Sequence, residues 1–550
     1  MGFVLKRSLP SLGGLVGLLL VVGVAAVVFL GAPVWFPAAF AIAMIGLQYL
    51  INPRIIQWLV PAEIVARDGD GYATDHAVGE IVARRCRAAG IPLVKLGIVD
   101  DGTPNAFTFG HTPGDARVWV TRGLLERLDE RELDAVIAHE VGHIKHWDFA
   151  VMTVAAVVPM MLYLLYLVAR GSGRGEAQAV ALGAYVAYVL SQFSLLALSR
   201  ARETAADHWS CETTGDGDAL ASALVKIAYG MGQVNADRKV EAAALVAAGK
   251  EGKKEAAKLE RRWNRAQSMR AMGIFEPRSA EALEAAFASG IDPQRAVAAM
   301  RWDLVNPWGK TLEKLSSHPL VARRIQALEE SGLPGAPRQW NVLRAAATAP
   351  PDQVAAARVR FTTELVVALA PWAVLVPLAA FGWFQDSQFS IGLALVAAGA
   401  LFFVKQNVRY PGGPAVTTSE VASLLERMDA GPVAGIPVEI HGQVIGRGFP
   451  GYVLSPDMVL QDRSGFLPLL YDQPLPFARE WFGLAKVKKF MGTDVVARGW
   501  YRRGPGPILE LREVVASHGR RARTWMWLAR YIFSALLLLA GLVVSVLGLA

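Results

Sequence analysis

His139-Glu140-Val141-Gly142-His143 decides how the rest of this 550-residue chain is read. Two histidines one helical turn apart, with a glutamate between them, make half of a metal-hydrolase site. The chain has 9 His, so a chance match is expected on the order of 0.01 times. Upstream, Leu128 to Ala138 reads as a helix start, with Asp129 as N-cap, Glu132 three residues on and apolar residues at helical spacing. At i and i+4 the two histidines project from one face, about 6 Å apart at Cβ, and both imidazoles reach one ion at about 2.0–2.1 Å. Glu140 points about 100° away around the helix, beside the ion, where a general base for water belongs.

A purely structural zinc site usually draws on short-spaced Cys pairs, and this chain has only Cys86 and Cys211. Those two are too few for a disulfide framework and read as reduced, structural thiols. His146 shares the helical face but stands about 10 Å along the axis from His139, too far to share its ion. A third ligand must come from elsewhere, and Ser199-Arg200-Ala201-Arg202-Glu203-Thr204-Ala205-Ala206-Asp207 is the best segment. Glu203 and Asp207 are themselves i, i+4, one carboxylate for the metal and one to orient a histidine N–H. His208 and Glu212 compete on the same segment, and spacing alone does not exclude them.

His139-Glu140-x-x-His143 followed, after an apolar hairpin, by Glu203-x-x-x-Asp207 resembles the integral-membrane zinc metalloproteases that include HtpX and the type I CAAX prenyl protease. The resemblance implies one zinc ion per chain, Glu203 as its third ligand and Asp207 behind a ligand. Pro104-Asn105-Ala106-Phe107 is similar to that family's edge strand, which implies that Asn105, Ala106 and Phe107 pair with an extended substrate peptide. Ser317-His318-Pro319-Leu320, running to Arg323-Arg324-Ile325, resembles a later motif, which implies that His318 faces the scissile carbonyl and that Arg324 braces the glutamate ligand. The resemblance covers roughly residues 1 to 335.

Composition agrees with a membrane protein, at 53% hydrophobic and 19% charged residues. Apolar runs at 11–31, 34–51, 149–169, 179–199, 364–381, 388–404 and 525–550 predict about seven spans, with 388–404 the shortest. The first run is an anchor and not a cleaved signal, being too long for a signal core and followed at once by a second run. The tips Gly31 to Pro37 and Gly382 to Gln388 carry no Lys or Arg, whereas 52–148, 200–361 and 405–523 hold nearly all of them. By the positive-inside rule the catalytic segments face the cytoplasm. The net charge of +8 then follows from topology and contact with anionic lipid, without nucleic acid as a partner.

The expected architecture is mainly α and polytopic, a gluzincin-like zinc protease core with a small edge sheet plus a C-terminal small β-barrel. Its parts are a transmembrane hairpin at 1–52, the protease core at 53–335 including the hairpin 149–199, and a linker with a hairpin at 336–404. A cytosolic OB-like β domain at 405–522 and a transmembrane helix at 523–550 complete it. The barrel rests on alternating runs such as Val438 to Val444, Val459 to Asp462 and Val495 to Tyr501, split by Gly and Pro. Lys486, Lys488 and Lys489 near Trp481 point to phospholipid or a protein partner rather than nucleic acid. The charged, Ala-rich insert 233–272 reads as a solvated helix.

The function expected is zinc-dependent hydrolysis of peptide bonds in protein substrates, membrane proteins among them, at the cytoplasmic membrane face. Resemblance to HtpX implies membrane-protein quality control in a cell's inner or plasma membrane. Processing of lipidated C-termini is the alternative, and a catalytically silent scaffold docking partners through the barrel is a rival. The intact Glu140 argues against the scaffold.

Overall fold

The computed structural model describes residues 35–74, 76–171, 175–227, 293–418, 420–447, 455–504 and 506–549. The expected first span, 11–31, and the insert 233–272 lie outside them. The described residues fall into two compact units, one of 35–227 with 311–343 and one of 293–310 with 344–549.

The first unit begins with helix α1 (Phe36–Leu59), over the expected second run. A four-stranded sheet follows, of β1 (Glu63–Ile64), β2 (Lys95–Val99), β3 (Ala106–Phe109) and β4 (Arg117–Thr121). Their order is β1-β2-β4-β3, with β2 parallel and β3 antiparallel to β4. The strand predicted at an edge therefore lies at one. Phe107, Phe109 and Trp119 form an aromatic core with Ile56, Val60 and Val99, so Phe107 fixes β3 through its side chain and leaves only backbone for another strand. Helix α2 (Ala77–Ala89) stops at Gly90, whose φ of 66° suits a residue without Cβ.

Helix α3 (Glu130–Lys145) carries the motif and starts as its spacing predicts. The Asp129 carboxylate accepts the Glu132 N–H and Glu132 accepts the Asp129 N–H. Glu132 also takes the Ser222 hydroxyl at 2.6 Å and the Lys226 ammonium at 2.6 Å, which ties the start of α3 to helical residues 217–227. After α3 the chain turns at Trp147, held at φ 58°. It continues into α4 (Asp148–Gly171) and α5 (Gly175–Thr214), which pack as a hairpin. The span expected to end near 199 runs unbroken to Thr214. The charges after Ser199 mark where polar surroundings begin, but a helix satisfies its own backbone and need not stop there.

The second unit holds α7 (Pro351–Phe384), α8 (Gln388–Arg409) and α10 (Met526–Leu547), numbered after α6 (Val321–Glu330) of the first unit and around α9 (Pro476–Ala485). α8 and α10 touch backbone to backbone at glycines. A Cβ on Gly392 would lie 2.4 Å from Ser545 N, and one on Gly541 2.6 Å from Val396 N. Among the described residues, α4, α5 from Ala177, α7, α8 and α10 are long and apolar enough to cross a membrane. Their outward apolar residues, such as Val154 at 70% and Leu182 at 66% exposure, need lipid around them. The chain is a membrane protein.

Between α8 and α10 the chain forms a closed five-stranded barrel of β5 (Ile436–Arg447), β6 (Met458–Gln461), β7 (Phe466–Leu470), β8 (Asp494–Arg503) and β9 (Pro507–Ala516). Antiparallel pairs β5–β6, β6–β7, β9–β8 and β8–β5, with one parallel pair β7–β9, complete the ring. α9 lies between β7 and β8. Glu510 of β9 fastens the barrel to the end of α8, accepting from Arg409 at 2.9 Å and from the Tyr410 hydroxyl at 2.6 Å. Arg502 of β8 pairs with the same carboxylate.

Candidate metal centre

α3 and α5 build the site face to face. Gly142, inside the motif, lets them approach closely: a Cβ there would stand 2.9 Å from Trp209 Cδ1 and 3.3 Å from Ala206 Cα. Nearer the start of α3 the Ser210 hydroxyl donates to the Ala135 carbonyl at 2.6 Å. This approach brings Glu203 of α5 to the histidines of α3. His139, His143 and Glu203 are all buried, with ligand atoms within 4.8 Å of one another, and form a possible metal site. The competing residues His208 and Glu212 are not part of that group, and neither is His146, which stands at the C-cap of α3.

The donor geometry asks for a cation. His139 Nδ1 lies 2.9 Å from Asp207 Oδ1, and His143 Nδ1 lies 2.5 Å from Asp148 Oδ2. With each Nδ1–H given to a carboxylate, both Nε2 lone pairs face inward, 3.1 Å apart. Each Nε2 is 3.6 Å from a Glu203 oxygen, and Oε2 of Glu203 is buried without a hydrogen-bond donor. Two lone pairs and an anion at that spacing repel one another unless a positive charge sits among them. Ligands at about 2.0–2.2 Å on a tetrahedral ion stand roughly 3.3–3.5 Å apart, so an N,N,O set of this size fits zinc. The alternative charge is a proton on His139. Burial lowers its pKa, but Asp207 and Glu203 more than offset this and push it up to about 9.

A second layer of groups holds the first. Arg324 of α6 grips Asp207 with Nε at 2.8 Å and Nη2 at 2.5 Å. The arginine expected to brace the glutamate ligand thus holds the aspartate one turn beyond it on α5. His318 Nδ1 lies 3.1 Å from Glu203 Oε2, off the line a hydrogen bond needs. Its loop is held by Arg200, which donates to the carbonyls of Glu313, Lys314 and Ser316 at 3.1, 3.2 and 2.8 Å. Glu140 is buried beside the centre. Burial raises its pKa and the two imidazoles pull it back, while Thr108 of β3 hydrogen-bonds its carboxylate. The edge strand thus runs past the acid–base candidate, with buried Asn105 and Ala106 at its start.

Residues 73–331 match Peptidase family M48. A protease HtpX homolog of Methanothermobacter thermautotrophicus is 40% identical over 226 residues, covering 41% of this chain and 84% of that relative. The chain belongs to peptidase family M48. Protease HtpX homolog 2 of Methanosarcina acetivorans is 37% identical over 38% of this chain and 74% of its own. Protease HtpX homolog 1 of Streptomyces coelicolor is 37% identical over 39% and 72%. Among solved structures, S. mikatae Ste24p is similar over 40% of this chain and 56% of its own, at 17% identity and a TM-score of 0.29. As an M48 protein the chain is a membrane metalloendopeptidase that acts on peptide or protein substrates.

Two features of this M48 centre escape the sequence. Asp148 heads an apolar run, where an acid reads as an ordinary helix N-terminal charge, and only the turn at Trp147 returns it to His143. Thr108 alternates with buried neighbours on β3, and nothing in its spacing links it to Glu140.

Proposed function

We propose that His139, His143 and Glu203 hold one zinc ion and that the chain hydrolyses peptide bonds of membrane-associated proteins from the cytoplasmic face. One observation carries the reading: both Nδ1 atoms are engaged by carboxylates, so both Nε2 atoms face the Glu203 carboxylate, one on each oxygen. Bound there, zinc would supply Lewis-acid activation of water and of the substrate carbonyl. Glu140 takes the proton of the attacking water and returns it to the leaving amine, a role suited to a carboxylate whose pKa is raised by burial. His318 meets the oxyanion of the tetrahedral intermediate. Asp207 and Asp148 fix the ring orientations, and Arg324 keeps Asp207 ionised and in place. An extended substrate adds to the outer edge of β3 beside Asn105, Ala106 and Phe107, which brings its backbone past Glu140.

The Lys and Arg distribution supports a cytoplasmic site, and likeness to relatives named HtpX supports quality control of membrane proteins over processing of lipidated C-termini. The ring order β5-β6-β7-β9-β8, with a helix between its third and fourth strands, supports an OB-like reading of 405–522, with lipid or protein as its partner. The test is cleavage of an unfolded reporter such as casein by the purified chain, with zinc quantified in each variant. Glu140→Gln is expected to keep zinc and lose cleavage, and Glu203→Ala to lose zinc. Full activity in Glu140→Gln would sink the mechanism.

A further inference from the structure

A helix packed on a water-facing barrel turns its apolar side inward, and α9 has a second apolar side turned out. Phe477, Trp481 and Leu484, at i, i+4 and i+7, are 68%, 62% and 50% exposed, while Phe482 and Gly483 on the other side are buried. Leu475, just before the helix, extends the outward stripe, and Glu480 stands at its rim. The stripe continues beyond the barrel. Pro474 joins Trp525, Ile532 and Leu536 around an apolar groove of about 430 Å³ that runs along the start of α10. Since α10 is a membrane helix, the groove descends into hydrocarbon. At the other end of α9 come Lys486, Lys488 and Lys489, all exposed.

An apolar stripe centred on an aromatic ring, continuous with a span and followed by lysines, suits the boundary between headgroups and acyl chains. A soluble protein docked on α9 would leave the lower part of the groove, at Ile532 and Leu536, beyond its reach. Lipid fills both parts. We propose that α9 rests in the leaflet that α10 enters, with Phe477, Trp481 and Leu484 among the acyl chains and Lys486, Lys488 and Lys489 on lipid phosphates. A phospholipid chain occupies the groove at Pro474. The barrel is then held against the bilayer along its own helix as well as through α8 and α10, whatever the protease acts on.

The test uses the full chain in nanodiscs containing phosphatidylglycerol, with an environment-sensitive fluorophore on a cysteine placed at Trp481, at Leu484 or at the exposed barrel turn residue His518. Cys86 and Cys211 are buried and stay in place. Acyl-chain spin-labelled lipid is expected to quench positions 481 and 484 several-fold more than 518, and iodide to do the reverse. Exchange of phosphatidylglycerol for phosphatidylcholine is expected to weaken the lipid quenching. Iodide quenching at 481 and 484 equal to that at 518 would overturn the proposal, showing a water-facing stripe. Protection from both quenchers would overturn it too, showing a protein contact in place of lipid.

Discussion

Asp148 shows how much of a metal site lies outside its ligands. It stands 2.5 Å from His143 Nδ1 and 3.1 Å from Arg202 Nε, and reaches both because Trp147 accepts a left-handed backbone. Asp148→Asn keeps an oxygen for the ring N–H but loses the charge that makes the imidazole a better donor to metal. The expected result is metal affinity weaker by about 10–100-fold, read by competition with a chelator. Unchanged affinity would mean that packing alone orients His143. The difference from Asp207 is instructive about legibility. Asp207 was readable because it stands one turn from Glu203 on a helix, a relation that spacing encodes. Asp148 depends on a turn at a bulky residue, and no periodic rule announces such a turn. Arg324 falls between the two cases: its place beside the centre was legible from resemblance, and its grip on Asp207 comes from the structure.

At the scale of elements, the β3–β4 hairpin presents the edge, and Asp115 closes its turn. Its carboxylate accepts the N–H groups of His111 and Thr112, each at 2.9 Å, and lies 2.7 Å from the His111 ring and 3.2 Å from Arg117 Nη1. Burial pushes its pKa up, but these donors more than offset that and hold it well below the usual carboxylate range. A depressed folded value contributes stability above the unfolded pKa of about 3.9, and loses it as pH falls through the lower folded value. Protection from hydrogen exchange at Ala106–Phe109, measured against the intrinsic rate at each pH, should therefore fall below about pH 4. Asp115→Asn should bring that looseness to neutral pH at a cost of about 1 kcal/mol, as for a lost cap. Exchange unaffected by the substitution would show that the aromatic core alone holds β3. In the barrel, β5 and β8 were legible from their alternation, whereas β7 and β9 contain Pro468 and Pro507, which read as breakers. Pro507 only opens its strand, and β7 meets β9 at Leu469 and Leu470, past its proline.

For the whole molecule, the charge pattern predicts a topology that can be read directly. The turn between α7 and α8 bears Asp386 and no Lys or Arg, while the barrel side is rich in both. A cysteine at Asp386 should react with a membrane-impermeant thiol reagent in intact cells, and one at His518 only after permeabilisation; the opposite pattern would invert the orientation. α5 adds a constraint of another kind. The same unbroken rod that presents Leu182 and Leu190 outward, at 66% and 61% exposure, carries Glu203 and Asp207. A stiff rod gripped by lipid at one end passes its tilt to the other, and tilt answers to bilayer thickness. Turnover should peak across bilayers of graded acyl length while zinc content stays constant, and a flat response would mean that the contacts of Ser210 and Gly142 insulate the centre. A peak would make the membrane a gauge for this enzyme, with the placing of a carboxylate against two imidazoles answering to the thickness of the sheet in which it floats.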